Sequence, residues 1–72
     1  MNFIHTDDAP AAVGPYSQAV EANGYLFLSG QIGINPASAR IEGKTVAEQA
    51  EQACKNIGAV LAKAGSGFER VI

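Results

Sequence analysis

An α+β fold, in which hairpin strands carry one amphipathic helix packed on the sheet, is what this sequence predicts. Two features point to it. Asn23-Gly24 stands between two short extended segments, and both residues tolerate the positive φ that a two-residue hairpin turn requires. From Thr45 to Ala64, apolar residues recur at 3.6-residue spacing, the mark of a helix with one buried stripe. No repeat, low-complexity tract or linker interrupts the 72 residues, so a single domain is expected over residues 1–72.

In chain order, residues 3–5 can form a short strand. Residues 7–15 are too rich in proline, glycine and small side chains for regular structure, and Pro10 and Pro15 each remove a backbone donor. Residues 17–22 can extend into the turn. Tyr25, Leu26, Phe27 and Leu28 read as a buried strand, packed on both faces. A two-residue turn then fixes the register: Ala22 opposite Tyr25, Val20 opposite Phe27, Gln18 opposite Ser29 and Tyr16 opposite Gln31. Two hydroxyls, on Tyr16 and Ser29, come toward one end of the hairpin. Asn35-Pro36 marks a second turn, and residues 40–42 a brief extended piece.

The helix is the clearest element. Thr45 and Glu48 fit a capping box. Val46, Ala50, Ala53, Ile57, Val60, Leu61 and Ala64 form the apolar stripe, and its alanines allow close approach to a sheet. Glu51 and Lys55 make an i,i+4 pair worth about 0.2–0.5 kcal/mol. Gly65 is placed to end the helix in the left-handed conformation. Cys54 falls at the edge of the stripe and is expected to be a core thiol. Residues 68–72 look like the approach to another strand.

Composition narrows the function. Seven Asp and Glu against five Lys and Arg give a net charge of −2. That balance argues against an electrostatic grip on nucleic acid or an anionic membrane surface. No apolar run approaches the ~20 residues of a membrane span, and the first residues lack a signal-peptide pattern. One cysteine permits no intrachain disulfide, and a lone thiol without an export pattern fits a cytoplasmic setting. His5, Asp7 and Asp8 have no familiar ligand spacing, so a solvated loop is expected rather than a metal site. No GxxxxGK[ST] or GxGxxG offers a phosphate loop.

Three stretches together resemble one family. The first is Ala9-Pro10 leading to Gly14-Pro15-Tyr16-Ser17-Gln18-Ala19-Val20. The second is Leu28-Ser29-Gly30-Gln31-Ile32-Gly33, followed by Asn35-Pro36. The third is the helix from Glu48-Gln49-Ala50 through Asn56-Ile57 to Leu61 and Ala64-Gly65. Their order and content are similar to the N-terminal part of the RidA/YjgF family of 2-iminobutanoate/2-iminopropanoate deaminases.

The resemblance implies a chorismate-mutase-like fold, of which these residues are the first half, and a homotrimer with clefts between subunits. It implies hydrolysis of reactive enamine and imine acids, such as 2-aminoacrylate and 2-iminopropanoate, to 2-oxo acids and ammonia, with no metal or organic cofactor. It offers Tyr16, Ser29 and Gly30 as substrate-binding residues: Tyr16 as donor or pocket wall, Ser29 as partner of ligand or water, Gly30 for close backbone approach. The family's catalytic arginine and acidic residue belong to the second half of the domain, beyond Ile72, and neither Arg40 nor Arg70 matches that motif. Two other functions compete. One is a noncatalytic trimeric protein that binds small carboxylates. The other, disfavoured by the acidic balance, is RNA cleavage or inhibition of translation. A further departure is Ala39, where many members carry glycine; a positive φ there disfavours alanine.

A hairpin and one helix leave open sheet edges. A chain this short buries only about 60% of its unfolded surface, so a lone copy is expected to be marginal, and inactive without the second half.

Overall fold

The computed structural model describes residues 2–12 and 16–72. Strands β1 (Asn2–Ile4), β2 (Ala19–Ala22) and β3 (Tyr25–Leu28) form an antiparallel sheet in the order β1-β2-β3. A two-stranded ribbon of β4 (Ile34–Asn35) and β5 (Arg40–Ile41) follows, then helix α1 (Val46–Lys63) and a single 3₁₀ turn at Phe68–Arg70. The Gly14-Pro15 start of the first motif lies outside the described residues.

The hairpin has the expected register, with Ala22 opposite Tyr25 and Val20 opposite Phe27. Asn23 and Gly24 both take positive φ, 53° and 79°, which matches the turn's twist to that of the strands. The ladder ends at Ala19 and Leu28, plus one further bond from the Ser29 amide to the Gln18 carbonyl at 3.0 Å. No strand extends to Tyr16 and Gln31.

One expectation for β3 is corrected. Its side chains alternate instead of packing on both faces: Leu26 and Leu28 turn to the core, while Tyr25 and Phe27 are 61% and 62% exposed. Phe3, Val20 and Phe27 lie directly opposite one another across the three strands. With Tyr25 they make an apolar sheet face, and the Tyr25 and Phe27 rings stand 6.3 Å apart. The covered face holds Ile4, Ala19, Leu26 and Leu28 against Val60 and Ala59 of α1, with Ala9 completing the cluster.

Helix α1 has the capping box read from the sequence. Thr45 Oγ1 accepts from the Glu48 amide at 3.1 Å, and Glu48 Oε1 accepts from the Thr45 amide at 3.1 Å. At the other end, Gly65 has φ 76°, its amide bonds to Ala62 O, and the Ser66 amide bonds to Leu61 O. That pair of bonds is a Schellman termination.

The apolar stripe is covered only in its second half. Val60 and Leu61 are buried, whereas Val46 is 86% exposed and Ala50 is exposed. Span explains this: an 18-residue helix is about 27 Å long, whereas strands of four residues run about 13 Å. Cys54 sits on the overhanging half and is exposed, not a core thiol. Residues 68–70 form the 3₁₀ turn and not a strand, although Val71 is already extended.

The overhanging half of α1 is held by close backbone approach. A Cβ on Gly33 would lie 2.6 Å from Gln49 O, and one on Gly43 would lie 3.0 Å from Gln49 N. Asn56, fully buried, donates from Nδ2 to Ile32 O and Ile34 O, both at 2.9 Å, and accepts from Gln52 Nε2 at 2.9 Å. No helix of the described residues is long and apolar enough to cross a membrane.

Two glycine-related substitutions should move stability in opposite directions. Gly33→Ala should destabilise by about 1–3 kcal/mol, because its methyl group meets backbone that cannot swing aside. Ala39 has φ 59°, so Ala39→Gly should stabilise by roughly 0.5–1 kcal/mol, the left-handed strain relieved less the entropy of glycine. Urea unfolding of both variants beside the parent decides this; equal midpoints would contradict it.

The cap adds a pH dependence. The Lys44 amide, then the Thr45 amide and hydroxyl, hold the Glu48 carboxyl below its ordinary range. A depressed folded-state pKa contributes stability above the ordinary carboxylate range and loses it as pH falls through the folded value. Glu48→Gln should therefore flatten the acid limb of the thermal melting curve. An unchanged limb would show that the cap contributes nothing there.

Candidate functional site

The end of the hairpin opposite the Asn23-Gly24 turn gathers the sequence-nominated residues. A single side chain organises it. Gln18 is 2% exposed, and its amide clamps the preceding loop to the sheet. Its Oε1 accepts from the Thr6 amide at 2.7 Å. Its Nε2 donates to Thr6 O at 3.0 Å and to Pro10 O at 2.8 Å, with a longer contact to Ala9 O at 3.4 Å. Residues 6–10 are irregular because of their proline and small residues, so their backbone groups need partners that no ladder supplies. Gln18 is that partner. Among the described residues, no buried side-chain nitrogen or oxygen is left without one.

Across from Gln18, Ser29 is tied at two atoms. Its amide bonds to Gln18 O at 3.0 Å, and its hydroxyl donates to the Ser17 carbonyl. Gly30 follows, exposed, and a Cβ there would meet nothing within 4 Å. Backbone on that side stands open to an incoming group.

Ser29 and Gly30 line an open cavity of about 840 Å³ that runs along the free edge of β3 toward the C-terminal half of α1. Leu26, Leu28, Ile57 and Leu61 give it apolar walls, and Arg70 stands at its rim. Arg70 had no assigned role; its arrival beside β3 follows from the turn at Phe68–Arg70, which no periodicity announces. Tyr16 is 49% exposed and does not line this cavity. Among the described residues, its link to Ser29 runs through its neighbour Ser17. The two hydroxyls thus share one end of the hairpin without sharing one cavity.

Elsewhere, His5 Nε2 lies 3.1 Å from Asp7 Oδ1, with both side chains largely in solvent. A second, shallow depression over Gly43, Glu48 and Lys55 belongs to the helix cap.

Comparison with known proteins places this geometry. The family model described as Endoribonuclease L-PSP matches residues 6–72. A RutC family protein of Synechocystis is 51% identical over 100% of this chain and 56% of its own length. The mouse 2-iminobutanoate/2-iminopropanoate deaminase is 46% identical over 96% of this chain and 51% of its own. The crystal structure of E. coli TdcF with bound serine superposes with a TM-score of 0.93 at 35% identity, covering 100% of this chain and 56% of that one. The chain therefore spans about half the length of the relatives it matches. Its hairpin, helix and motifs make these 72 residues a member of the Endoribonuclease L-PSP family, the RidA/YjgF group.

Proposed function

We propose that this chain contributes the hairpin-and-helix half of an enzyme that hydrolyses small imine and enamine acids to 2-oxo acids and ammonia. The observation that carries this is the Ser29-Gly30 corner, polar on one side and open on the other, in a chain 46% identical to the mouse imine deaminase over nearly all its length.

The chemistry is hydrolysis. Water adds to the imine carbon, the carbon–nitrogen bond of the resulting carbinolamine breaks, and nitrogen leaves as ammonia after gaining a proton. The reaction calls for a cation on the carboxylate, preferably an arginine fork, an oriented water, and an acid for the departing nitrogen. Tyr16, Ser29 and Gly30 supply polar and open surface but neither a cation nor a strong acid. Those two groups belong to the half of the domain that the longer relatives possess. Kinship with the RidA/YjgF group implies that this reaction proceeds without a metal or organic cofactor.

The partner is accordingly a small imine or enamine acid. The apolar sheet face of Phe3, Val20, Tyr25 and Phe27 favours a second partner, further copies of the protein in a homotrimer. The acidic balance favours neither nucleic acid nor a membrane surface, and a cytoplasmic location suits the reaction. A noncatalytic role as a binder of small carboxylates is the second proposal, favoured by the bound serine in TdcF.

The test is turnover of 2-iminopropanoate, generated in situ by an amino-acid oxidase, with decay of the imine and release of pyruvate followed together. Acceleration over the uncatalysed rate, lowered about tenfold or more by Ser29→Ala, is expected of the whole domain with both halves present, as a species that sediments as a trimer, and not of these 72 residues alone. Saturable binding of small carboxylates without acceleration would instead establish the noncatalytic role.

A further inference from the structure

The bonding of Ser29 sets the polarity of what it can recognise. A serine hydroxyl carries one proton and two lone pairs, whereas a backbone carbonyl only accepts. The contact between Ser29 Oγ and Ser17 O can therefore be made in one sense only: Ser29 donates. Its amide proton is likewise committed, to Gln18 O at 3.0 Å. Both carbonyls lie just before β2, on backbone that the Gln18 side chain pins to residues 6–10. Ser29 is part-buried and lines the cavity beside β3. What its side chain has left for that cavity is lone pairs.

We infer that Ser29 is a hydrogen-bond acceptor that selects ligands carrying an N–H or an ordered water, and takes no part in holding the carboxylate. This rests on the deaminase reading above and gives it a direction. The nitrogen end of an imine or iminium acid, or the attacking water, faces Ser29. The carboxylate faces elsewhere, because two sets of lone pairs in contact repel. For Ser29 to donate to a carboxylate, its bond to Ser17 would have to break, leaving a carbonyl unpaired at a loss of roughly tenfold or more in affinity.

A matched pair of ligands isolates the effect. L-Alanine and propanoate share a skeleton and a carboxylate, and only alanine carries N–H donors. Titration of each into the purified whole domain, both halves present, should show alanine bound more tightly. Ser29→Ala should weaken alanine about tenfold and leave propanoate unchanged, and Ser29→Thr should restore alanine. Equal weakening of both ligands, or weakening of propanoate alone, would overturn the inference. So would propanoate binding as well as alanine to the parent, a result that leaves the carboxylate-binding site itself standing. Binding of neither ligand would sink the site as well. A ligand-free measurement guards against variants that fail to fold. The Ser29 hydroxyl proton should appear in NMR spectra as a slowly exchanging resonance; exchange at the solvent rate would refute the donor bond to Ser17.

Discussion

The buried amide of Gln18 is the constraint on which the functional end of this fold depends. Residues 6–10 carry a proline and have no strand partner, yet they cross covered ground, and Ala9 enters the core. Buried backbone groups without partners cost about 1–3 kcal/mol each, enough to unseat a loop from so small a core. An amide is the side chain suited to this place, since it accepts from one backbone N–H and donates to two carbonyls at once. The clamp joins β2 to the segment after β1, and so fixes the carbonyls on which Ser29 rests.

Asn56 does for the helix what Gln18 does for the loop. Fully buried, it bonds to the carbonyls of Ile32 and Ile34 on either side of Gly33. At Gly33 the chain comes so near the helix that a Cβ would lie 2.6 Å from Gln49 O. A polar tether and a missing side chain thus act at the same crossing. The tether sets the rotation of α1, and the glycine sets its distance. Apolar packing by Val60 and Ala59 then seals the far end against Ala19, Leu26 and Leu28.

What was legible in the sequence were features whose physics is local. The Asn23-Gly24 turn, the Thr45–Glu48 box, the Gly65 termination and the strained Ala39 all involve residues within a few positions of one another, and each is present. What was not legible depended on spans and distant partners. Periodicity shows that α1 has an apolar stripe, but not that the sheet beneath is half its length, which leaves Val46 and Cys54 uncovered. Four residues of β3 are all apolar, so the alternation that exposes Tyr25 and Phe27 appears only once the strand is paired. Gln18 bonds to residues 8 to 12 positions away and Asn56 to residues 22 and 24 away. The one hint of Asn56 was a polar residue at the spacing of the stripe. In the Ser29-to-Gly33 motif, the two glycines prove to do different things: Gly30 opens on space, while Gly33 packs against the helix.

These constraints bear on how a site for imine acids can be divided between halves of a domain. A substrate with a carboxylate at one end and a nitrogen at the other needs donors facing the first and acceptors facing the second. Short antiparallel strands joined by a rigid turn are good at presenting fixed acceptors, because a hydroxyl there surrenders its proton to the neighbouring strand. They are poor at presenting a cation, whose long side chain would have to be braced by further structure. Here the hairpin end supplies Ser29 with its proton already committed, and the open backbone at Gly30 beside it. On the proposed reading, a charged group for the carboxylate is best placed on another element, where its position and that of Ser29 are set independently. On such an arrangement, the distance between the two ends of the substrate is measured by the packing of one half against the other.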